Sequence, residues 1–174
     1  AVRLEAGAAR LALMNGGPAA ATVQLRLRVF AMDGRLLAEA GVARAVCAPS
    51  ACMETTLALP ALDEPVVAEL VALDPPDDRE LARDCAWTEP FRFYRLADAR
   101  IALVAEGQAL RLSSDRPVKG LWLRGAGLAL DDNFIDLVPG VERRVTSRIA
   151  LPVELEAVAV DQPPRIFNLK NGGG

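Results

Sequence analysis

Residues 110–140 read LRLSSDRPVKGLWLRGAGLALDDNFIDLVPG, and how this stretch is divided decides the fold. Leu110 and Leu112 close a short apolar alternation. Ser113-Ser114-Asp115-Arg116-Pro117 interrupt it with turn chemistry, and Val118 to Leu123 resume as a strand. Asp131-Asp132-Asn133 mark a second loop, Phe134 to Val138 form another extended segment, and Pro139-Gly140 close it with a tight turn. The spacing is that of short strands joined by turns. Trp122, between Leu121 and Leu123, is expected in a core with both faces covered.

Upstream, the same period of two is plainest in Thr22 to Ala31. Val23, Leu25, Leu27 and Val29 alternate with Gln24, Arg26 and Arg28, so one face is buried and the other wet. Asp33-Gly34 then joins this strand to Leu36-Leu37 as a hairpin turn. Further strands are predicted at Leu11 to Met14, Val42 to Cys47, Cys52 to Leu59, Val66 to Leu73 and Arg79 to Trp87. Val66 to Leu73 is apolar on both faces except at Glu69, the mark of a central strand. Downstream, strands are predicted at Ile101 to Val104, Ala109 to Leu112, Arg144 to Ala150 and Val153 to Val160. The fold class is therefore all-β, with two tandem immunoglobulin-like β-sandwich domains over residues 1–96 and 97–162 and a tail over 163–174. That tail is expected to be mobile unless Ile166, Phe167 and Leu169 dock onto a neighbour.

The join, Glu89-Pro90-Phe91-Arg92-Phe93-Tyr94-Arg95-Leu96, is aromatic rather than rich in Gly or Ser. Burying such rings stabilises by roughly 1.5–3 kcal/mol for a side chain such as Phe. Phe91, Phe93 and Tyr94 are therefore expected to be wedged into the sandwiches and to make the join rigid.

Two motifs in the opening stretch carry a family resemblance. SSDRPVKGLWL followed by LDDNFIDLVPG resembles the last immunoglobulin-like domain of β-mannosidases in glycoside hydrolase family 2. That domain carries an SD-x-P turn, a strand, and a DN-[FY]-[FW]-D-L-x-P-G-E segment. Here the segment runs from Asp132 to Gly140, with Ile135 at its second aromatic position and Glu142 displaced one place by Val141. The aromatic join also resembles the strand that leads into the last domain of those enzymes. Residues 1–88 match only in strand order and in the Asp33-Gly34 hairpin. The resemblance implies a non-catalytic C-terminal region whose parent hydrolyses terminal β-linked mannose with retention. Its partner would be an upstream catalytic barrel of the same polypeptide, which this region braces. Both catalytic glutamates of the family belong to that barrel, so no catalytic residue is transferred to this chain. The alternative is a stand-alone module that binds glycans or a protein partner.

Composition sets further bounds. The 174 residues carry a net charge of −3 with acids and bases interspersed, which favours neither nucleic acid nor a membrane surface. The apolar runs are too short to span a bilayer, and no leader is read at Ala1. Nothing in the composition assigns a compartment. Histidine is absent, which excludes Ser-His-Asp and Cys-His nucleophiles within this chain. No cofactor is implied. Cys47 and Cys52 either face each other as a disulfide, which implies an oxidising compartment, or remain two small half-buried side chains; the second is preferred. Cys85 has no evident partner.

The candidate site residues are few. Asp131, Asp132, Asn133 and Asp136 form a dense oxygen cluster. An EF-hand fails, since Ile135 and Asp136 stand at its fifth and sixth positions, although Glu142 falls at the twelfth. Asp132 and Asn133 are expected to hold the loop by side-chain to backbone bonds, a calcium loop being the alternative. Glu54, Glu69, Glu89 and that cluster are the candidate carboxylates, and all are expected at ordinary surface or turn positions. Retaining chemistry needs two carboxyl groups roughly 5–5.5 Å apart. Trp87, Trp122, Phe91, Phe93, Tyr94 and Phe134 are the aromatics available to a sugar-stacking platform, and core or inter-domain packing is the reading preferred for them.

Overall fold

A computed structural model describes residues 1–88 and 96–169, the side chain of Ala43 excepted. All regular elements among them are strands, and every pairing is antiparallel. The chain divides into two compact units, Ala1–Ala31 with Arg35–Phe93 and Met32–Gly34 with Tyr94–Gly174. The wedge expected of Phe91, Phe93 and Tyr94, like the candidate Glu89, falls outside the described residues.

The first unit contains β1 (Val2–Glu5), β2 (Ala8–Met14), β3 (Ala21–Ala31), β4 (Leu36–Cys47), β5 (Cys52–Ala58), β6 (Val66–Asp74) and β7 (Arg79–Trp87). They form two sheets, ordered β1-β2-β5 and β4-β3-β6-β7. The alternation in β3 does what its period requires. Val23, Leu25, Leu27 and Val29 are buried with Ala68 and Leu70 of β6, and they meet Ala9 and Leu11 of the other sheet. Burying each such aliphatic side chain contributes roughly 1.5–3 kcal/mol. β6 is central, as its apolar run predicts, and is buried on both faces. The N-terminal segment is more regular than its sequence suggests. Instead of one strand at residues 11–14 there is a hairpin, with Val2 paired to Leu11 and Leu4 to Ala9 across Gly7, which holds φ at 69°. Alanines on β2 dilute the periodicity, and only the cross-strand partner reveals it.

The second unit contains β8 (Ile101–Glu106), β9 (Ala109–Ser114), β10 (Val118–Arg124), β11 (Ile135–Leu137), β12 (Arg143–Thr146), β13 (Glu154–Val158) and β14 (Arg165–Asn168). The sheets are β12-β9-β8 and β11-β10-β13-β14. Leu110, Leu112 and Val145 from the first meet Leu121, Leu123, Ile135, Leu137 and Leu155 from the second in one core. Three strands are shorter than the sequence suggests, because prolines and turns trim the ends of β11, β12 and β13.

Two expectations change here. The described part of the supposed tail, residues 163–169, belongs to the sandwich: β14 pairs with β13, Leu155 against Phe167 and Glu156 against Ile166, while Phe167 and Leu169 pack on the core. Gln162 helps to fix this end. Its buried amide accepts from Ala99 N at 2.9 Å and donates to Ala97 O at 2.9 Å. Trp122 is not in the core. Leu121 and Leu123 point inward, so the intervening ring faces outward and is 37% exposed. Pleating alternates side chains strictly, and a strand covered on one face leaves every second residue wet.

Candidate functional site

The two motifs at residues 113–117 and 131–136 act as fasteners. Asp115 Oδ1 accepts from Arg100 N at 2.6 Å, and Ser114 Oγ donates to Arg116 O at 2.7 Å. In the second motif Asn133 behaves like a short strand partner. Its Oδ1 accepts from Leu123 N at 2.9 Å and its Nδ2 donates to Leu123 O at 3.0 Å. Asp136 Oδ1 accepts from Gly120 N at 2.7 Å, and Asp131 Oδ1 from Thr146 N at 2.8 Å. Asp132 pairs instead with Arg143 at 3.2 Å, and Glu142 with Arg111 at 3.3 Å. The cluster is thus distributed over four separate tasks. Among the described residues no group of three or more Asp, Glu or Cys side chains is arranged to hold a metal ion.

The result of this fastening is the placement of Phe134. Asn133 and Asp136 tie the loop to β10 on either side of it, and Phe134 is left with φ at 60° and 66% exposed. That left-handed backbone is uncommon for a bulky side chain. Its ring stacks on Trp122, with centroids 5.5 Å apart and planes 11° from parallel. The Arg124 guanidinium lies 4.7 Å from the Trp122 ring centroid and pairs with Glu156 at 2.7 Å. Val158, opposite Trp122 on β13, and Ile166, opposite Glu156 on β14, extend the same outer face. An open cleft of about 450 Å³ adjoins the Arg124 end, lined by Arg124, Pro152, Val153, Glu154, Glu156 and Ile166. The sequence pointed to Trp122 and Phe134 as separate aromatics. Their pairing, with Arg124 and Ile166, was missed, although Arg124 shares the parity of Trp122 and signals an outward face.

The remaining candidates separate. Trp87 is buried, and Glu54 is exposed on β5. Glu69 corrects its expected surface position, for it is 1% exposed and held by Arg28 and Arg83, with Arg83 also pairing Glu80. Burial pulls the Arg28 pKa below its ordinary value, and neighbouring Glu39 opposes the shift. An Arg remains protonated regardless, so the network keeps its charges. Cys47 is buried, Cys52 is exposed, and both are free thiols.

No family model matches the chain. Segments of it are similar to fungal β-mannosidases B. The match to the Aspergillus clavatus enzyme is 40% identical over 72 residues, covering 38% of this chain and 8% of that protein. The match to the Emericella nidulans enzyme is 38% identical over 92 residues, covering 49% and 11%. Among solved structures, the β-D-mannosidase of Dictyoglomus thermophilum superposes with a TM-score of 0.75 at 14% identity, over 94% of this chain and 21% of that one. The exo-chitosanase of Amycolatopsis orientalis gives a TM-score of 0.69 at 12% identity, over 91% and 25%. The chain is therefore similar to the C-terminal immunoglobulin-like region of glycoside hydrolase family 2 β-mannosidases, as the paired motifs imply, and it matches only about a tenth of the length of the relatives named.

Proposed function

We propose that this chain is the non-catalytic C-terminal region of a β-mannosidase-like glycoside hydrolase, divided into two sandwiches near Leu96. The parent hydrolyses terminal β-linked mannose with retention, and the sandwiches brace its catalytic barrel. One observation carries the reading. Nearly the whole chain superposes on a β-mannosidase, yet it accounts for only 21% of that enzyme, so the rest of such a protein lies elsewhere. The described acids agree with it: Glu69 is sealed by two arginines, and Asp131, Asp132 and Asp136 are engaged in holding loops.

The test starts with the coding sequence upstream of residue 1. A barrel-length extension is expected. The polypeptide it encodes should turn over an aryl β-mannoside, while the 174-residue chain should not. Turnover by the chain alone, abolished by changing one of its own acids, would overturn the proposal, as would an upstream sequence without a barrel. A second reading, a stand-alone module for glycans or a protein partner, is favoured by the exposed Trp122–Phe134 pair.

A further inference from the structure

We infer that the outer face of the sheet β11-β10-β13-β14 is the surface by which the second sandwich docks on the catalytic barrel of its own polypeptide. The inference rests on the function proposed above and names the surface that would perform it. Phe134 is 66% exposed, Ile166 60% and Trp122 37%; Trp122, Val158 and Ile166 share the outer face of one sheet, and Phe134 stacks on Trp122. Soluble proteins rarely leave contiguous apolar surface of this kind unpartnered. Scattered exposed side chains such as Met14 or Leu81 of the first unit need no such explanation.

Three features distinguish this face from ordinary exposed surface. First, Phe134 holds a left-handed backbone that Gly or Asn would accept with less strain, and Asn133 and Asp136 fix the loop around it. Strain retained in order to project an aromatic ring outward points to a use for that ring. Second, the composition is that of an interface centre: Trp and Arg beside Phe and aliphatic side chains, where binding energy concentrates. Arg124 is already neutralised by Glu156 and lies against Trp122, so covering it strands no unpaired charge. Third, the superposition on a β-mannosidase takes in 94% of this chain and only 21% of that one, so most of such a protein lies outside the chain and is available as the cover.

A saccharide is the less fitting occupant. The Trp122 ring is already engaged by Phe134 and Arg124, and Val158 opposite it and Ile166 on the same face offer no hydrogen bonds to sugar hydroxyls. The barrel surface that fits is apolar at its centre, with polar groups at the rim to meet Arg124, Glu154 and Glu156 around the adjoining cleft.

Hydroxyl-radical footprinting of the full polypeptide, read residue by residue by mass spectrometry, tests the assignment. After correction for intrinsic side-chain reactivity, Trp122, Phe134 and Ile166 should be as protected as buried Leu121 and Leu123, and in the 174-residue chain they should react as exposed residues. The double variant Trp122→Ser with Phe134→Ser, made in the full polypeptide, should restore fast modification of Ile166 and shorten the half-life of activity on heating. An upstream sequence lacking a barrel would overturn both this inference and the proposed function. A barrel present, with Trp122 and Phe134 still modified at exposed rates, would overturn the docking surface alone. So would protection of Trp122 that appears only when a mannooligosaccharide is added.

Discussion

Glu69 on β6 and Trp122 on β10 both point away from the core of their own sandwich, and they meet opposite environments. The carboxylate is 1% exposed and the indole 37%. On β6 the outward parity is covered: Val67 and Val71 are buried beside Glu69, and Arg28 and Arg83 close on the carboxylate. On β10 the outward parity is open, and Phe134 and Arg124 lie against a Trp122 ring that stays partly in water. Polarity therefore does not decide which side of a strand is buried. The number of covered faces does, and that depends on what packs on the second side. A strand with two covered faces tolerates a charge only if partners neutralise it, whereas a strand with one covered face can display an aromatic ring.

The largest expected effect comes from breaking the closed side. Glu69→Ala leaves Arg28 and Arg83 in a buried site without their shared partner, and removing one member of such a network typically costs about 3–5 kcal/mol. A fall in the urea midpoint at unchanged slope is expected. A loss below about 1 kcal/mol, the range of exposed pairs, would show that Glu69 is solvated and that the contrast with Trp122 is false. The next effect is on the open side. Asn133→Ala removes two bonds to the Leu123 backbone and leaves a strand N–H and C=O without their partner. About 2 kcal/mol is expected, since stranding a partly buried group costs roughly 1–3 kcal/mol. The same change should lower the intensity of near-ultraviolet circular dichroism from Trp122, because the loop carrying Phe134 loosens.

How far the sequence carries the fold follows from the same pair of strands. Local alternation is enough for β3, where Val23 to Val29 specify the buried face unaided, and the turns at Asp33-Gly34 and Pro139-Gly140 are legible because few residues suit them. The ion network on β6 is not legible, since Glu69 is 41 residues from Arg28 and 14 from Arg83 and nothing local connects them. The outward Trp122 was legible in principle. Leu121 and Leu123 already occupy the inner parity, and Arg124 shares the outer one. The hydrophobicity of the ring argues for the interior and the period for the surface, and the period prevails. β14 was obscured by Gln162-Pro163-Pro164, which read as a stop although the chain continues past them to pair with β13. Of the candidate site, the Asp131–Asp136 loop was legible as a fastener. The Phe134–Trp122 stack was not, because it depends on the register that sets β11 against β10.

Trp122→Ala tests that misreading. A fully buried Trp would cost roughly 3–5 kcal/mol on truncation. With part of the ring in water, the expected loss in this chain is about 1–2 kcal/mol, made of partial burial and the stack on Phe134. A loss in the core range would return Trp122 to the interior and remove the open face altogether.

The smallest effect is the most diagnostic, and it concerns Phe134. Two opposing terms act there. The ring gains roughly 0.5–1.5 kcal/mol from stacking on Trp122. The left-handed backbone that presents it costs on the order of 1–2 kcal/mol for a residue with a Cβ. Phe134→Ala loses the stack and keeps the strain, so a loss of about 1 kcal/mol is expected. Phe134→Gly loses the same stack but relieves the strain, against which stands the greater freedom of glycine in the unfolded chain. The glycine variant should therefore lie within about 1 kcal/mol of the parent sequence and above the alanine variant in urea midpoint. That inverted order, glycine more stable than alanine, reads the backbone directly, because at an ordinary extended position alanine would be the more stable. Alanine above glycine would mean that Phe134 is not held in the left-handed region. The strain argument for an aromatic deliberately turned outward would then fall, even if the ring itself remained exposed.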